Sequence, residues 1–408
     1  MNIAVLGGGA AGFFSAISCK SHHPDWDVTL YEKSSKLLAK VKVSGGGRCN
    51  VTHACSDLAG LSGKYPRGEK LLKKAFYQFS FDDTVSWFES RGVRLKTEAD
   101  NRIFPVSDNS QTIINCLMNE AEKLGITIRS NSNVQSIEVK PSEINSGKNT
   151  FYLQLGEEEL SADKIIVATG GSAKPEGFNW LAKLNHRIVA PVPSLFTFNI
   201  PQNPITELMG VSVENALVKI QTTKLRQTGP VLITHWGLSG PAVLKLSAWG
   251  AKILKEMNYC VKVNISWAGE INEQELREIV LDESLKNLKK KVSNTRLFQI
   301  PSRLWDFLLE KSGIDKELIW AEISKEKTNR FINSLSNDEY QVRGKTTFKE
   351  EFVTCGGVSL YDINFQTMES KVCPGMYFAG EVLDIDGITG GFNFQAAWTT
   401  GYIAGKMN

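Results

Sequence analysis

Residues Met1 to Glu32 read MNIAVLGGGAAGFFSAISCKSHHPDWDVTLYE. The apolar run Ile3 to Leu6, the glycine turn GGGAAG from Gly7 to Gly12 and the amphipathic stretch after it predict a strand, a phosphate loop and a helix, in that order. In such a loop Gly7 permits the tight turn, Gly9 lets a pyrophosphate approach the backbone, and Gly12 lets helix and strand touch. Ala10 and Ala11 open a helix whose amino-terminal end faces the negative charge of the ligand. After Asp27, Val28 to Tyr31 supply a second parallel strand. Glu32 then stands twenty residues past Gly12, where a carboxylate meets a ribose hydroxyl and disfavours a 2′-phosphate, with Lys33 beside it. A glycine fingerprint alone is weak, and an ordinary βαβ turn is the alternative. The strand before it, the helix after it and the acid at this spacing point to a dinucleotide. They do not separate FAD from NAD, because both present an ADP half to the same loop.

The chain has 408 residues, more than one ordinary core, so two or three domains are expected. With 42% hydrophobic and 22% charged residues the composition is that of a soluble globular protein. The net charge of +3 is nearly balanced and makes no electrostatic case for nucleic acid as the main partner. No segment approaches the roughly 20 consecutive apolar residues of a membrane span. The best candidate, Leu238 to Leu254, is interrupted by Lys245 and Lys252. Because the first residues already read as the first strand, no signal peptide is expected and a cytoplasmic location is. Seven cysteines without a CxxC pair and five scattered histidines argue against a disulfide framework, a zinc site or any other metal centre.

Further along, Ser44, Gly45, Gly46, Gly47, Arg48, Cys49 and Asn50 form a dense glycine-and-polar loop. Three successive glycines are costly to order, and a ligand approaching the backbone explains them; a flexible surface loop is the other reading. Lys40 and Arg48 are candidates for phosphate or flavin-oxygen contacts. Cys49 is either a redox thiol or a small buried residue. Helical patterns follow at Glu69 to Phe79, Asp82 to Arg91 and Gln111 to Leu124. Between the last two, Asn101 to Ser107 reads as a polar, aromatic turn, with Arg102 facing cofactor or substrate or simply solvent. From Ile126 the pattern changes to short alternating runs, with Pro141 to Asn149 as a hairpin connection. The apolar strand ending at Ala168 leads into Thr169, Gly170 and Gly171, which bring backbone close to a cofactor again. A βαβ unit, a meander and a strand ending in ATGG favour FAD, and Val134 is a candidate to contact adenine through its backbone.

Prolines 191, 193, 201 and 204 mark the start of an inserted region. Within it, Val211 to Gln221 and Cys260 to Ser266 read as strands, and Thr234 to Trp249 as a glycine-rich turn leading into a helix. His235 in that turn could move protons between substrate and solvent, or it and Thr234 merely cap and pack the turn. The lysine-rich stretch Asn272 to Ser312 is helical in pattern, its charge most simply a solvated face. Glu339 to Phe348 looks like a return strand towards the first domain. The last stretch places Gly380 and Glu381 after a buried strand, Asp384 and Asp386 ahead of a turn, and Gly390 and Gly391 ahead of a helix that begins with Phe392, Asn393 and Ala396. That helix offers its positive end to the pyrimidine edge of a flavin.

The motifs GGGAAG, SGGGRCNVT, RIFPVS, THWGLSGPA, TCGGV and YFAGEVLDIDGITGGFNFQAAWTTG span nearly the whole chain. They resemble those of the bacterial FAD-dependent oxidoreductase family of aminoacetone-oxidase-like and bile-acid-reductase-like flavoproteins. The resemblance implies an α/β fold with a discontinuous, Rossmann-like, glutathione-reductase-like FAD-binding domain at residues 1–190 and 350–408. It also implies a β-barrel-like part at 191–270 and 318–349 and a small helical part at 271–317. Leu38 and Ala39 replace the family's Gly-Arg ahead of Lys40, His53 replaces an asparagine, and the family's lysine near Asn109 is missing. The expected activity is hydride transfer between flavin N5 and a small organic substrate, an amine or an enone. With no second glycine fingerprint after the meander, external NAD(P)H or oxygen must close the cycle. A flavin-dependent RNA-modifying protein, which predicts a basic stripe on the helical insertion near Lys286 to Lys291, and a non-catalytic flavin redox sensor are the alternatives. The sequence leaves substrate, direction of transfer and oligomeric state open.

Overall fold

The computed structural model describes residues 1–141, 149–347 and 353–407. The chain divides into two compact units, Met1–Ser194 with Lys349–Asn408, and Leu195–Phe348. No helix among the described residues is long and apolar enough to cross a membrane.

The first unit is built on a sheet with β1 (Asn2–Leu6) near its centre. β1 pairs in parallel with β2 (Asp27–Tyr31) on one side and with Lys164–Val167 on the other. Thr127–Arg129 extends the sheet beyond β2, and Met376–Phe378 extends it beyond Lys164–Val167, both parallel. Ile3 to Leu6 and Ile165 to Val167 are buried, as expected for strands covered on both faces.

Helix α1 (Ala10–His22) departs from the amphipathic expectation: every residue from Ala11 to Cys19 is buried. The cause is the last helix, Phe392–Lys406, which packs along the side of α1 that the sheet leaves uncovered. A Cβ at Gly405 would lie 2.4 Å from the Ser15 carbonyl oxygen, and one at Gly401 would lie 3.0 Å from that of Ala11, so these backbones nearly touch. Phe14 adds ring contacts to Trp398, Trp87 and Phe79, with centroids 5.3, 4.6 and 5.4 Å away.

Short helices form at Glu69–Ala75, Phe81–Glu89 and Gln111–Lys123, close to where periodicity puts them. The turn expected at Asn101 to Ser107 is instead, over Arg102–Pro105, the middle strand of a small sheet between Thr52–His53 and Leu95–Thr97. Ile103 and Phe104 are buried there, and pairing on both sides satisfies their backbone. In the meander Ser136–Pro141, Asn149–Leu155 and Glu158–Ala162, the hairpin connection predicted at Pro141 to Asn149 lies outside the described residues except for its two ends, which pair. The third strand went unpredicted because its charged outer-edge sequence lacks alternation.

The second unit carries a seven-stranded sheet in which every pairing is antiparallel. Its main strands are β3 (Ser212–Ile220), β4 (Arg226–Thr234), β5 (Gly237–Ser239) and β6 (Cys260–Ser266), with α2 (Pro241–Glu256) following β5. The strand expected to return towards the first domain, observed at Asp338–Arg343, pairs instead with β6 inside this unit. Helices Glu273–Lys286, Ser302–Lys311 and Lys325–Ser336 share one core with the sheet through Leu276, Trp305, Phe331, Trp267 and Tyr340. Asp338, 2% exposed, is stabilised there by donation from Trp267 Nε1 at 2.9 Å, from Tyr340 and from Lys311.

Candidate functional site

The site starts from three glycines with different jobs. A Cβ at Gly12 would lie 1.8 Å from the Gly7 carbonyl oxygen, and one at Gly7 would lie 2.4 Å from that of Ala168. At Gly9 a Cβ would meet nothing within 4 Å. Gly12 therefore seals the helix against the loop, Gly7 seals the loop against the end of the neighbouring strand, and Gly9 leaves an open backbone face. Gly9 is also the N-cap of α1 and supplies no side-chain cap, which suits an anion at the helix terminus. Glu32 is held in place: its Oε2 accepts from Gly8 N at 2.8 Å, and its Oε1 from Ser34 N at 2.9 Å and Ser34 Oγ at 2.8 Å. A cavity of about 360 Å³ runs from Gly7, Glu32 and Lys33 past Val134 to Thr169, Gly170 and Gly171. Ser132, Asn133, Gln135 and Trp180 also line it; sequence reasoning missed them, although Asn133 and Gln135 flank Val134. Open glycine face, carboxylate, uncapped helix end and cavity fit a dinucleotide.

The chain's last stretch closes on this loop. A Cβ at Gly380 would lie 2.7 Å from Ala11 Cβ, and Gly380 N donates to Thr400 Oγ1 at 2.8 Å. Lys40 Nζ pairs with Glu381 Oε2 at 2.7 Å, while Glu381 Oε1 accepts from Thr354 N at 2.9 Å. Gly171 is pressed against the same group, for its Cβ would lie 2.1 Å from Thr354 Oγ1. Lys40, Gly171 and Glu381, far apart in sequence, thus form one cluster. Asp384 Oδ1 accepts from Gly356 N at 2.9 Å and braces the loop ahead of the last helix.

The Ser44–Gly47 loop is a single tight turn. Arg48 beyond it pairs with Glu98 at 2.6 Å and Asp108 at 3.4 Å and lies 4.0 Å over the Phe104 ring; these carboxylates raise its already high pKa. Arg102 pairs with Asp100 at 2.6 Å and Glu98 at 3.3 Å. Cys49 is buried, and burial pushes its thiol up to about 12, against a small opposing pull from Ser44. That is the small buried residue of the two readings, because a redox thiol needs an accessible thiolate. The Asn50 amide bridges to the last helix, its oxygen accepting from Gly391 N at 3.0 Å and its nitrogen donating to Thr52 O at 2.9 Å. Gly391 is the helix N-cap, and a Cβ there would lie 2.7 Å from Thr52 O. His53 Nδ1 lies 3.0 Å from the Gly390 carbonyl oxygen and therefore carries the proton that it donates. Asn393 is committed to the same turn, accepting from Gly387 N at 2.8 Å and donating to Gly387 O at 3.0 Å. Phe392 and Ala396 are buried, and Tyr65 donates to the Phe392 carbonyl at 2.6 Å.

A second polar cluster had no signal in the sequence. Asp386, fully buried, receives two hydrogen bonds from the Arg67 guanidinium and one from Ser194 Oγ at 2.7 Å. Burial outweighs both partners and pushes its carboxyl up to about 6. His235 belongs to the other unit, exposed at the turn from β4 to β5, its ring edge-on to Trp236 at 4.4 Å. Thr234 Oγ1 donates to Gly237 O at 3.1 Å and closes that turn.

The sequence matches the family described as HI0933-like protein Rossmann domain over residues 1–407. It is 27% identical over 413 positions to 3-dehydro-bile acid delta(4,6)-reductase of Clostridium scindens, covering 99% of this chain and 98% of that one. It is 29% identical to ribosomal RNA dihydrouridine synthase of Escherichia coli, covering 98% and 95%. Among solved structures, the open conformation of a flavocytochrome c3 fumarate reductase matches 99% of this chain and 77% of that chain, with a TM-score of 0.50 and 16% identity, which shows a shared fold. The chain belongs to the HI0933-like Rossmann family, and it is an FAD-dependent oxidoreductase.

Proposed function

We propose that this enzyme reduces a C=C bond conjugated to a carbonyl. One observation carries the reading: two relatives matched over nearly the whole chain have names that describe the same bond change. A delta(4,6)-reductase of a 3-dehydro steroid saturates an enone, and a dihydrouridine synthase saturates the uracil C5=C6 bond, which is conjugated to C4=O. FAD, when bound and reduced by two electrons, would supply the hydride for the carbon β to the carbonyl.

The chain's own residues would bind, orient and protonate. Gly7, Gly9, Ala10, Ala11 and Gly12 would hold the pyrophosphate, Glu32 and Lys33 the ribose, and Val134 the adenine. Thr169, Gly170, Gly171, Lys40, Gly380, Glu381 and Asp384 would line the middle of the cofactor. Ser44 to Asn50 would cover it, Asn50 through its bond to Gly391. The last helix, entered through Gly390 and Gly391 and beginning with Phe392, Asn393 and Ala396, would hold negative charge at the pyrimidine edge. His235 is our candidate for the proton delivered to the α carbon. Hydride and proton together saturate the bond, and an external nicotinamide restores the reduced cofactor.

The test is anaerobic. NADH or NADPH should bleach the oxidised flavin band, and a 3-oxo-4-ene steroid or a uridine-containing RNA should restore it. If only oxygen restores the band, or if amines bleach it, the reading is wrong.

A further inference from the structure

Charge in the second unit is segregated. Between Asn215 and Lys255 the sequence carries six basic residues, Lys219, Lys224, Arg226, Lys245, Lys252 and Lys255, and no Asp or Glu. All 17 acidic residues of Leu195–Phe348 lie outside that window. The window covers most of the hairpin of β3 and β4, then β5 and α2, with Glu214 of β3 and Glu256 at the end of α2 standing just outside it.

Within the hairpin Lys219 and Arg226 are register partners, so two like charges face one another across the strands. Such a pair weakens a sheet by itself and is better tolerated against an anion. A Cβ at Gly250 would lie 3.0 Å from Leu225 Cδ1, so the hairpin tip, with Lys224 and Arg226, is seated beside α2. Trp249 and Ile253, one helical turn apart on α2, are 36% and 39% exposed. Lys345 lies 5.0 Å from the Tyr259 ring, and burial followed by repulsion from Lys255 lowers its pKa. Acids on neighbouring strands and loops are engaged: Glu339 by Lys262 at 2.8 Å and Gln221 at 2.7 Å, and Glu270 by Thr228 at 2.6 Å.

We propose that the hairpin tip and the outer face of α2 form a docking surface for looped or single-stranded RNA. Lys224 and Arg226 meet phosphates, and Trp249, next to Gly250 where the tip is seated, stacks on an unpaired base. The proposal rests on the C=C reductase reading and names uracil in RNA as the substrate class. Cations on a hairpin beside one exposed aromatic suit a strand whose phosphates repeat and whose bases offer flat faces. Two apolar side chains among lysines are too few to anchor a bilayer.

The experiment uses the full FAD-loaded chain and a fluorescein-labelled RNA hairpin with a uridine loop, titrated from about 50 to about 200 mM salt. The wild type binds, more weakly as salt rises. Lys224→Glu with Arg226→Glu weakens binding at least about tenfold and lowers the slope of log affinity against log salt by about two. Trp249→Ala weakens binding about tenfold with the slope unchanged. Flavin spectrum and thermal midpoint, read for each variant, show that the fold is kept. RNA affinity equal in wild type and variants overturns the proposal, as does no binding at low salt. Loss of affinity only for phosphatidylglycerol vesicles overturns it as well. A wild type that restores the flavin band with the steroid enone yet ignores RNA sinks the docking surface alone. One that binds RNA but restores the band with neither acceptor sinks the reductase reading.

Discussion

Gly7 to Gly12 and Gly45 to Gly47 are both glycine loops of the first unit, yet they use glycine for different reasons. In the first, Gly7 and Gly12 stand where any side chain would overlap backbone atoms. In the second, Gly46 has open space around it and is required only by its left-handed backbone, φ +68°. The first loop is dictated by close packing and announces the fold. The second is dictated by conformation, and its neighbours Cys49 and Asn50 tie it down.

Substitutions can separate these roles. Gly12→Ala should have the largest effect, because no rotamer relieves a Cβ 1.8 Å from a carbonyl oxygen and α1 must move off β1. We expect loss of both the flavin band and a cooperative thermal transition; retention of either would mean that the loop is softer than its geometry. Gly9→Ala should split the two readouts. With nothing within 4 Å of its Cβ, the apo fold should keep its thermal midpoint, while FAD affinity, by fluorescence titration, falls at least about tenfold. Gly46→Ala should cost about 1 to 2 kcal/mol in urea unfolding, the penalty of a left-handed alanine, and leave the first loop's contacts untouched. A stability loss as large as that of Gly12→Ala would erase the distinction between the two loops.

The smallest effect concerns the stretch that joins both loops to the last helix. The Asp386 carboxyl is raised from its ordinary 3.8 to about 6, so folding takes up a proton between those values. The stability contributed by this group therefore rises as pH falls through 6. Asp386→Asn lacks that term. Its thermal midpoint relative to wild type should become more negative between about pH 7.5 and about pH 5. The opposite trend would show that Arg67, rather than burial, dominates this carboxyl.

Local signals were legible from the residues. The phosphate loop, β2 and its terminal glutamate, and the strand leading to Thr169 are written in short-range patterns of apolar runs and glycines. The strand at Arg102–Pro105 was not, because Asn101, Arg102 and Pro105 look like a turn until Thr52–His53 and Leu95–Thr97 pair on either side. The amphipathic reading of α1 failed because its second cover arrives from nearly four hundred residues away. Charge has partners that the residues alone do not name: Arg48, a candidate ligand contact, also pairs with Glu98 and Asp108. The near-neutral total is unevenly spread, with a basic window whose compensating acids sit elsewhere in the same unit.

The sequence by itself determined the dinucleotide loop and favoured FAD, because glycine conformation, strand period and helix-end charge act over a few residues; the discontinuous plan was implied only by the resemblance of its motifs to a family. Only the tertiary structure decided that Lys40 meets Glu381, that Asn50 meets Gly391 and that Arg67 meets Asp386 and Ser194. These partners lie hundreds of positions apart. Their meeting depends on sheet order and on the docking of the last helix, which no local pattern encodes.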